Sequence, residues 1–236
     1  MNDMNAAMSI NQIEKAVARS RIYALLAMGF RYPEEGAFSQ FADGTYADMI
    51  AGAVGVCAAG LLGNFEENLA PRLLVAASCQ ELESDYLSAF ETNRPKPSVS
   101  LYEGSYHHKG GKPALLLELK GFYRNFGLVI AEAENDLEDA LTAELEFMQF
   151  LTAKQAQAEE GLLDKAPYLR AQRDFLERHL AMWLPALRTA VDAKLEQHFY
   201  RALTDFGEQL RRSRYRGSAA RYYPSWLMLQ MLRCSF

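Results

Sequence analysis

The chain has 236 residues, half of them hydrophobic and 23% charged, with a net charge of −5 and a pI near 5.5. That apolar fraction builds a core and excludes a disordered chain, and the length fits one large domain, residues 1–236. The acidic balance excludes a general nucleic-acid binder, which needs a basic face to displace phosphate counterions, and favours a cationic partner.

Taken in order, Ser9 reads as an N-cap for a helix whose apolar residues Ile10, Ile13, Val17, Ala24 and Met28 fall near a 3.6-residue period, halted at Gly29 and Pro33. Residues 34–70 carry six glycines between short apolar patches and predict short helices and loops. Pro71 suits a first helical turn, and from there Val75, Cys79, Leu82, Tyr86, Ala89 and Phe90 line one face, up to Pro95 and Pro97. Residues 92–112 form a long loop around Leu101-Tyr102-Glu103-Gly104-Ser105-Tyr106-His107-His108, a place for functional side chains.

Leu116, Leu119, Tyr123 and Phe126 mark the next helix, stopped by Gly127 as a C′ glycine. A long helix over 137–160 follows, with Leu137, Leu141, Leu145, Met148 and Leu151 as its stripe and Gly161 as its end. Pro167 opens another, with Leu169, Leu176, Leu180 and Trp183, and Pro185 kinks or restarts it. Leu187, Val191, Leu195, Phe199, Ala202, Phe206 and Leu210 then hold one helical register. No segment alternates with period two, so the fold class is all-α: a single helical bundle of about seven or more helices.

Residues 211–236 stand apart, with Arg211, Arg212, Arg214, Arg216 and Arg221 among Tyr215, Tyr222 and Tyr223, then an apolar end from Trp226 to Leu232. This reads as a solvated turn followed by a docked helix, or as a flexible tail. Arginines interleaved with aromatics also suit RNA or acidic lipid. Cys57, Cys79 and Cys234 have no disulfide or zinc spacing, which fits a reducing cytoplasm. Residues 1–8 lack the pattern of a signal peptide, and Ala51 to Gly63 is too short and glycine-rich to span a bilayer. Neither export nor stable membrane insertion is expected.

The residues required by several chemistries are missing. Neither Glu-x-x-His pairs nor HExxH occurs, as Leu176 precedes His179 and Leu195 precedes His198 at i−3. The nucleophile elbow, Walker loop and dinucleotide fingerprint are absent too. Glu81, Glu83 and Asp85 diverge around a helix and read as a solvated face. No catalytic residue, metal site or cofactor is expected.

Five pieces in order carry a resemblance. Tyr86-Leu-Ser-Ala-Phe90 precedes Leu101-Tyr102-Glu103-Gly104-Ser105-Tyr106; Phe122-Tyr123 and Phe126-Gly127-Leu128 follow. Then come Glu138-Asp139-Ala140-Leu141-Thr-Ala-Glu144-Leu145-Glu146-Phe147-Met148, and Phe175, His179, Leu180, Trp183 and Pro185. Together they resemble the TorD/DmsD/NarJ family of redox-enzyme maturation chaperones, also called dimethyl sulfoxide reductase delta-subunit-like. Glu138-Asp139-Ala140 stands where that family carries Pro-Asp-His, and Gly104 where it carries serine. These departures count against carrying over GTP binding and imply a client other than trimethylamine oxide or dimethyl sulfoxide reductase.

The resemblance implies a cytoplasmic, non-enzymatic chaperone whose partner is the catalytic subunit, or the twin-arginine leader, of a molybdenum-dependent oxidoreductase. Such recognition needs an apolar groove with acidic groups for arginines. Tyr86, Phe90, Tyr102, Tyr106, Phe147 and Met148 are placed near the groove, and Glu103, Asp139 and Glu144 offer carboxylates. Phe147 and Met148 equally suit the core, and His179 suits a packed, hydrogen-bonded histidine. The chain is expected to act as a monomer or homodimer. Two other readings stay open: a helical metal- or haem-containing oxidoreductase, and an RNA-binding module using the C-terminal arginines.

Overall fold

The computed structural model describes residues 2–75, 78–91, 98–106, 110–129, 137–196 and 198–222, with side chains described between residues 10 and 213. The first helix, α1 (Asn2–Phe30), starts earlier than the sequence suggests, so Ser9 lies inside it. Helices α2 (Glu35–Ala42) and α3 (Thr45–Cys57) are followed by short 3-10, α and π turns over 59–72. Helix α4 (Cys79–Tyr86) runs on as a π turn, Leu87–Glu91. Helix α5 (Gly111–Asn125) and helix α6 (Leu141–Glu160) come next. Helix α7 (Ala166–Phe175) passes through a π turn, Leu176–Leu180, into α8 (Ala181–Lys194), and α9 (His198–Tyr222) completes the described chain. Among the described residues there is no strand, and the architecture is all-α.

Helix α6 is central and buries more than one face. Leu141 and Leu145 meet Tyr23, Leu26 and Phe30 of α1 and leucines of the π turn, α8 and α9. Phe147, on another face, packs its ring 4.9 Å from Tyr123 of α5 and 4.8 Å from Phe175 of α7. Each fully buried Leu or Phe contributes ~1.5–3 kcal/mol, so this double-faced helix concentrates the hydrophobic driving force. Polar ties fix its register against α1: Arg19 Nη2 donates to Gln155 Oε1 at 2.8 Å and Ser20 Oγ to the Gln149 carbonyl at 3.1 Å. Gly29 lets α1, α3 and α9 converge, because a Cβ there would lie 2.5 Å from Tyr46 Oη and 2.8 Å from Leu203 Cδ1.

Several boundaries differ from the periodic reading, each for a local reason. Pro71 opens a 3-10 turn instead of a long helix, and Val75 leaves it to donate its N–H to the Phe41 carbonyl at 3.1 Å. The true start of α4 is a capping box in which Ser78 and Glu81 satisfy each other's backbone N–H groups. Leu137 lies before α6 and is 40% exposed. Leu195 turns extended between α8 and α9 while staying buried, so the apolar register continues across a break in the helix. Pro185 is accommodated inside α8 without ending it. Gly127, at φ +72°, and Pro167, in the first turn of α7, sit as the sequence predicts. His107, His108, Pro95, Pro97 and the apolar end from Trp226 to Leu232 lie outside the described residues.

Candidate functional site

Two segments far apart in sequence meet beside α6. Residues 98–106 leave the end of α4, held by the Val99 N–H donating to the Ala89 carbonyl at 3.0 Å. Residues 137–140 lead into α6. Tyr102 and Ala140 form an antiparallel bridge: the Glu103 N–H donates to the Asp139 carbonyl and the Leu141 N–H to the Leu101 carbonyl, both at 2.8 Å. This pairing keeps Ala140 extended at φ −70°, ψ 136°, so α6 begins only at Leu141 with Ala140 as its N-cap. A seemingly helical Glu-Asp-Ala is thus taken out of the helix by a tertiary hydrogen bond.

Side chains reinforce the joint. Asp139, fully buried, accepts from the Gly104 N–H through Oδ2 at 3.0 Å and pairs with Lys112 Nζ at 3.5 Å. A Cβ at Gly104 would lie 2.7 Å from that same Oδ2, so glycine is what permits this contact. Lys112 also stands 5.6 Å from the centre of the Tyr102 ring. Tyr106 bonds back to the Ser100 carbonyl through its hydroxyl at 2.8 Å, and burial pushes that phenol up to about 12. Its ring lies 5.4 Å from that of Trp183.

Beneath the loop is a buried polar network. Glu103 Oε2 lies 3.0 Å from His179 Nδ1, and His179 Nε2 lies 3.4 Å from Glu118 Oε1 on α5. The histidine is fully buried against Phe175, 4.8 Å between ring centres, and edge-on to Phe122 at 5.4 Å. Glu144, also fully buried, accepts from Trp183 Nε1 at 3.2 Å. Burial first, then the nearby Glu103 charge, raises the Glu144 carboxyl well above the ordinary range, and the Trp183 N–H opposes this only in part. A carboxyl with such a shift in a cleft would suggest acid/base chemistry, but here it is enclosed and serves the packing of α6 on α8.

The open feature adjoins this joint. A cleft of about 200 Å³ runs between the end of α1, the end of α4 and the start of α6. Tyr86, Phe90 and Tyr102 line it with Phe30, Tyr32, Leu101 and Ala140, and Arg31, Glu91 and Thr142 stand at it too. Tyr32 and Tyr86 meet edge to face at 5.6 Å, and Tyr86 and Phe90 at 5.2 Å. Arg31 is ion-paired with Glu146.

The predicted site residues therefore divide. Tyr86, Phe90 and Tyr102 come together at the cleft, where Tyr86 and Phe90 are buried in its wall and Tyr102 is partly exposed. Glu103, Asp139, Glu144, Phe147 and Met148 are enclosed, and Tyr106 is half-buried against Trp183. Tyr32 lies just past the end of α1, outside any periodic pattern; its one signal in the sequence is an aromatic directly before Pro33. At the other end of the chain, Arg211 and Arg212 both hydrogen-bond Glu208. Burial opposes the Glu208 charge, but the two guanidiniums outweigh it and hold that carboxyl below its usual value.

Among the described residues no helix is long and apolar enough to cross a membrane. The family profile described as nitrate reductase delta subunit matches residues 59–189, which include the joint and most of the cleft. The chain is 50% identical to the perchlorate reductase assembly chaperone protein of Dechloromonas aromatica (strain RCB), over 89% of this chain and 93% of that one. It is 33% identical to the selenate reductase assembly chaperone protein of Thauera selenatis, over 77% and 80% respectively. A TorD chaperone of Vibrio cholerae serotype O1 is 34% identical over 45% of this chain and 48% of its own. By this extent of match, and by the ordered motifs that build the joint, the chain belongs to the nitrate reductase delta subunit family, the TorD/NarJ group.

Proposed function

We propose that this chain is a cytoplasmic assembly chaperone, not an enzyme, which holds the catalytic subunit of a molybdenum-dependent oxidoreductase until cofactor insertion and assembly are complete. The observation that carries this reading is the half-identity, over nearly the full length of both chains, to a protein named as a perchlorate reductase assembly chaperone. Relatives named for selenate and chlorate reductases support a client that reduces an inorganic oxyanion. The whole chain acts as one domain, in keeping with a single buried cluster that draws on helices from α1 to α9.

The cleft gives the reading a site. Tyr32 and Tyr102, backed by the buried rings of Tyr86 and Phe90, offer aromatic surface with little rotamer entropy to lose, suited to apolar or cationic side chains of an incoming client segment. The enclosed Glu103, Asp139 and Glu144 act one step back, holding Tyr102 and Ala140 in place. A chaperone must release its client, which suits a Kd of ~1 μM, about 8 kcal/mol. The test is co-purification of the tagged chain from cells expressing the neighbouring oxidoreductase genes. Recovery of a molybdoenzyme catalytic subunit is expected; recovery of none, with the tag and the chain's stability controlled, would overturn the reading.

A further inference from the structure

A second opening lies where the turns of 59–72, α8 and the start of α9 meet, a cleft of about 750 Å³. Arg72, Arg188, Arg201 and His198 face Asp192 and Asp205 across it. The ion pairs are unevenly shared. Asp205 takes both Arg72, at 3.0 Å, and Arg188, at 2.6 Å, whereas Asp192 stands 3.8 Å from Arg188 and 3.6 Å from Arg201. At 3.6 Å the Arg201 contact is too long for a hydrogen bond, and its Nε–H is buried with no acceptor. Among the residues that line the cleft, three guanidiniums stand against two carboxylates, an excess of one positive charge on a chain whose net charge is −5. The Arg201 side chain is 37% exposed, so its terminal guanidinium N–H groups are open to an arriving carboxylate in a charge-assisted hydrogen bond.

We infer that this cleft is a docking site for an acidic peptide segment, with Arg201 as its principal carboxylate-binding residue. Leu74 flanks the cleft and is 52% exposed, offering apolar contact that a polypeptide uses and a free inorganic anion does not. The inference rests on the chaperone reading only for the source of that segment, an acidic stretch of the client. The site shares no lining residue with the tyrosine cleft, so one client could engage both.

The test is fluorescence anisotropy on the full chain with a fluorescein-labelled hexapeptide alternating Glu and Leu, set against the same peptide with Lys for Glu. The Glu peptide is expected to bind through Arg201 and to weaken as salt rises, whereas the Lys peptide, whose cations suit the tyrosine cleft, is expected to be indifferent to Arg201. R201E should weaken the Glu peptide at least tenfold and R201Q severalfold, while R178E, at the π turn where Arg178 pairs with Glu118 of α5 outside this cleft, leaves binding unchanged. The milder R201Q decides the matter if R201E lowers the melting temperature. Wild-type affinity in both Arg201 variants, or displacement by inorganic phosphate at lower concentration than by unlabelled peptide, would each overturn the inference. Loss of this inference with client co-purification intact leaves the chaperone reading standing; loss of client recovery with peptide binding intact does the reverse.

Discussion

The acid joint and the tyrosine cleft sit on two sides of the Tyr102–Ala140 bridge and treat polar groups in opposite ways. In the joint, Glu103, Asp139, Glu144 and His179 are almost wholly enclosed, and their partners are other residues of the chain. In the cleft, Tyr32 and Tyr102 keep solvent-facing surface around a cavity of about 200 Å³. The lesson is that most residues through which the family is recognised in this chain are architectural. They fix a loop to a helix start, and the open cleft lies next to them.

The comparison breaks most readily from the joint side. Trp183→Ala removes a buried indole and leaves Glu144 without its donor, so a loss of about 3–5 kcal/mol is expected in urea unfolding. A loss under 1 kcal/mol would mean that the network is dispensable. G104A should come next, at about 1–3 kcal/mol, because its methyl would displace the Asp139 carboxylate; faster proteolysis within residues 98–106 would report the loosened loop.

Glu144 supplies a pH signature. Its folded form holds a proton more tightly than the unfolded chain, so its contribution is complete below its unfolded value of about 4.5 and is lost as pH rises toward the elevated folded value. E144Q, which keeps a neutral side chain, should remove a slope approaching about 1.4 kcal/mol per pH unit from stability measured upward from pH 4.5. An identical slope in both proteins would assign the effect elsewhere. The smallest effect belongs to the rim: R31A breaks the exposed pair with Glu146 and should change stability by less than about 1 kcal/mol.

Much of this molecule is readable from its residues. The end of α1 at Gly29 and Phe30, the left-handed Gly127 and the proline start of α7 follow from local chemistry that the sequence displays. The misread features are those imposed from a distance. Glu138-Asp139-Ala140 has nothing unhelical about it until Leu101 and Glu103 claim its backbone. Leu195 keeps its apolar place in the register even where the backbone is extended. The carboxylates Glu103, Asp139 and Glu144 look like charges for a client's arginines, because sequence does not reveal that Gly104, Trp183 and His179 already occupy them. Tyr32 is the converse, a residue with no pattern of its own that the fold carries to the cleft.

The division of labour between joint and cleft is tested most directly by measuring two quantities on Y102A and E103A: affinity for the recovered catalytic subunit, and free energy of unfolding. Y102A is predicted to lose at least tenfold in affinity while staying within about 1 kcal/mol of wild-type stability. E103A, which strips a buried partner from His179, is predicted to lose about 2–4 kcal/mol of stability, with residual affinity tracking the folded fraction. Wild-type affinity in Y102A, together with a stable E103A that no longer binds, would contradict the account.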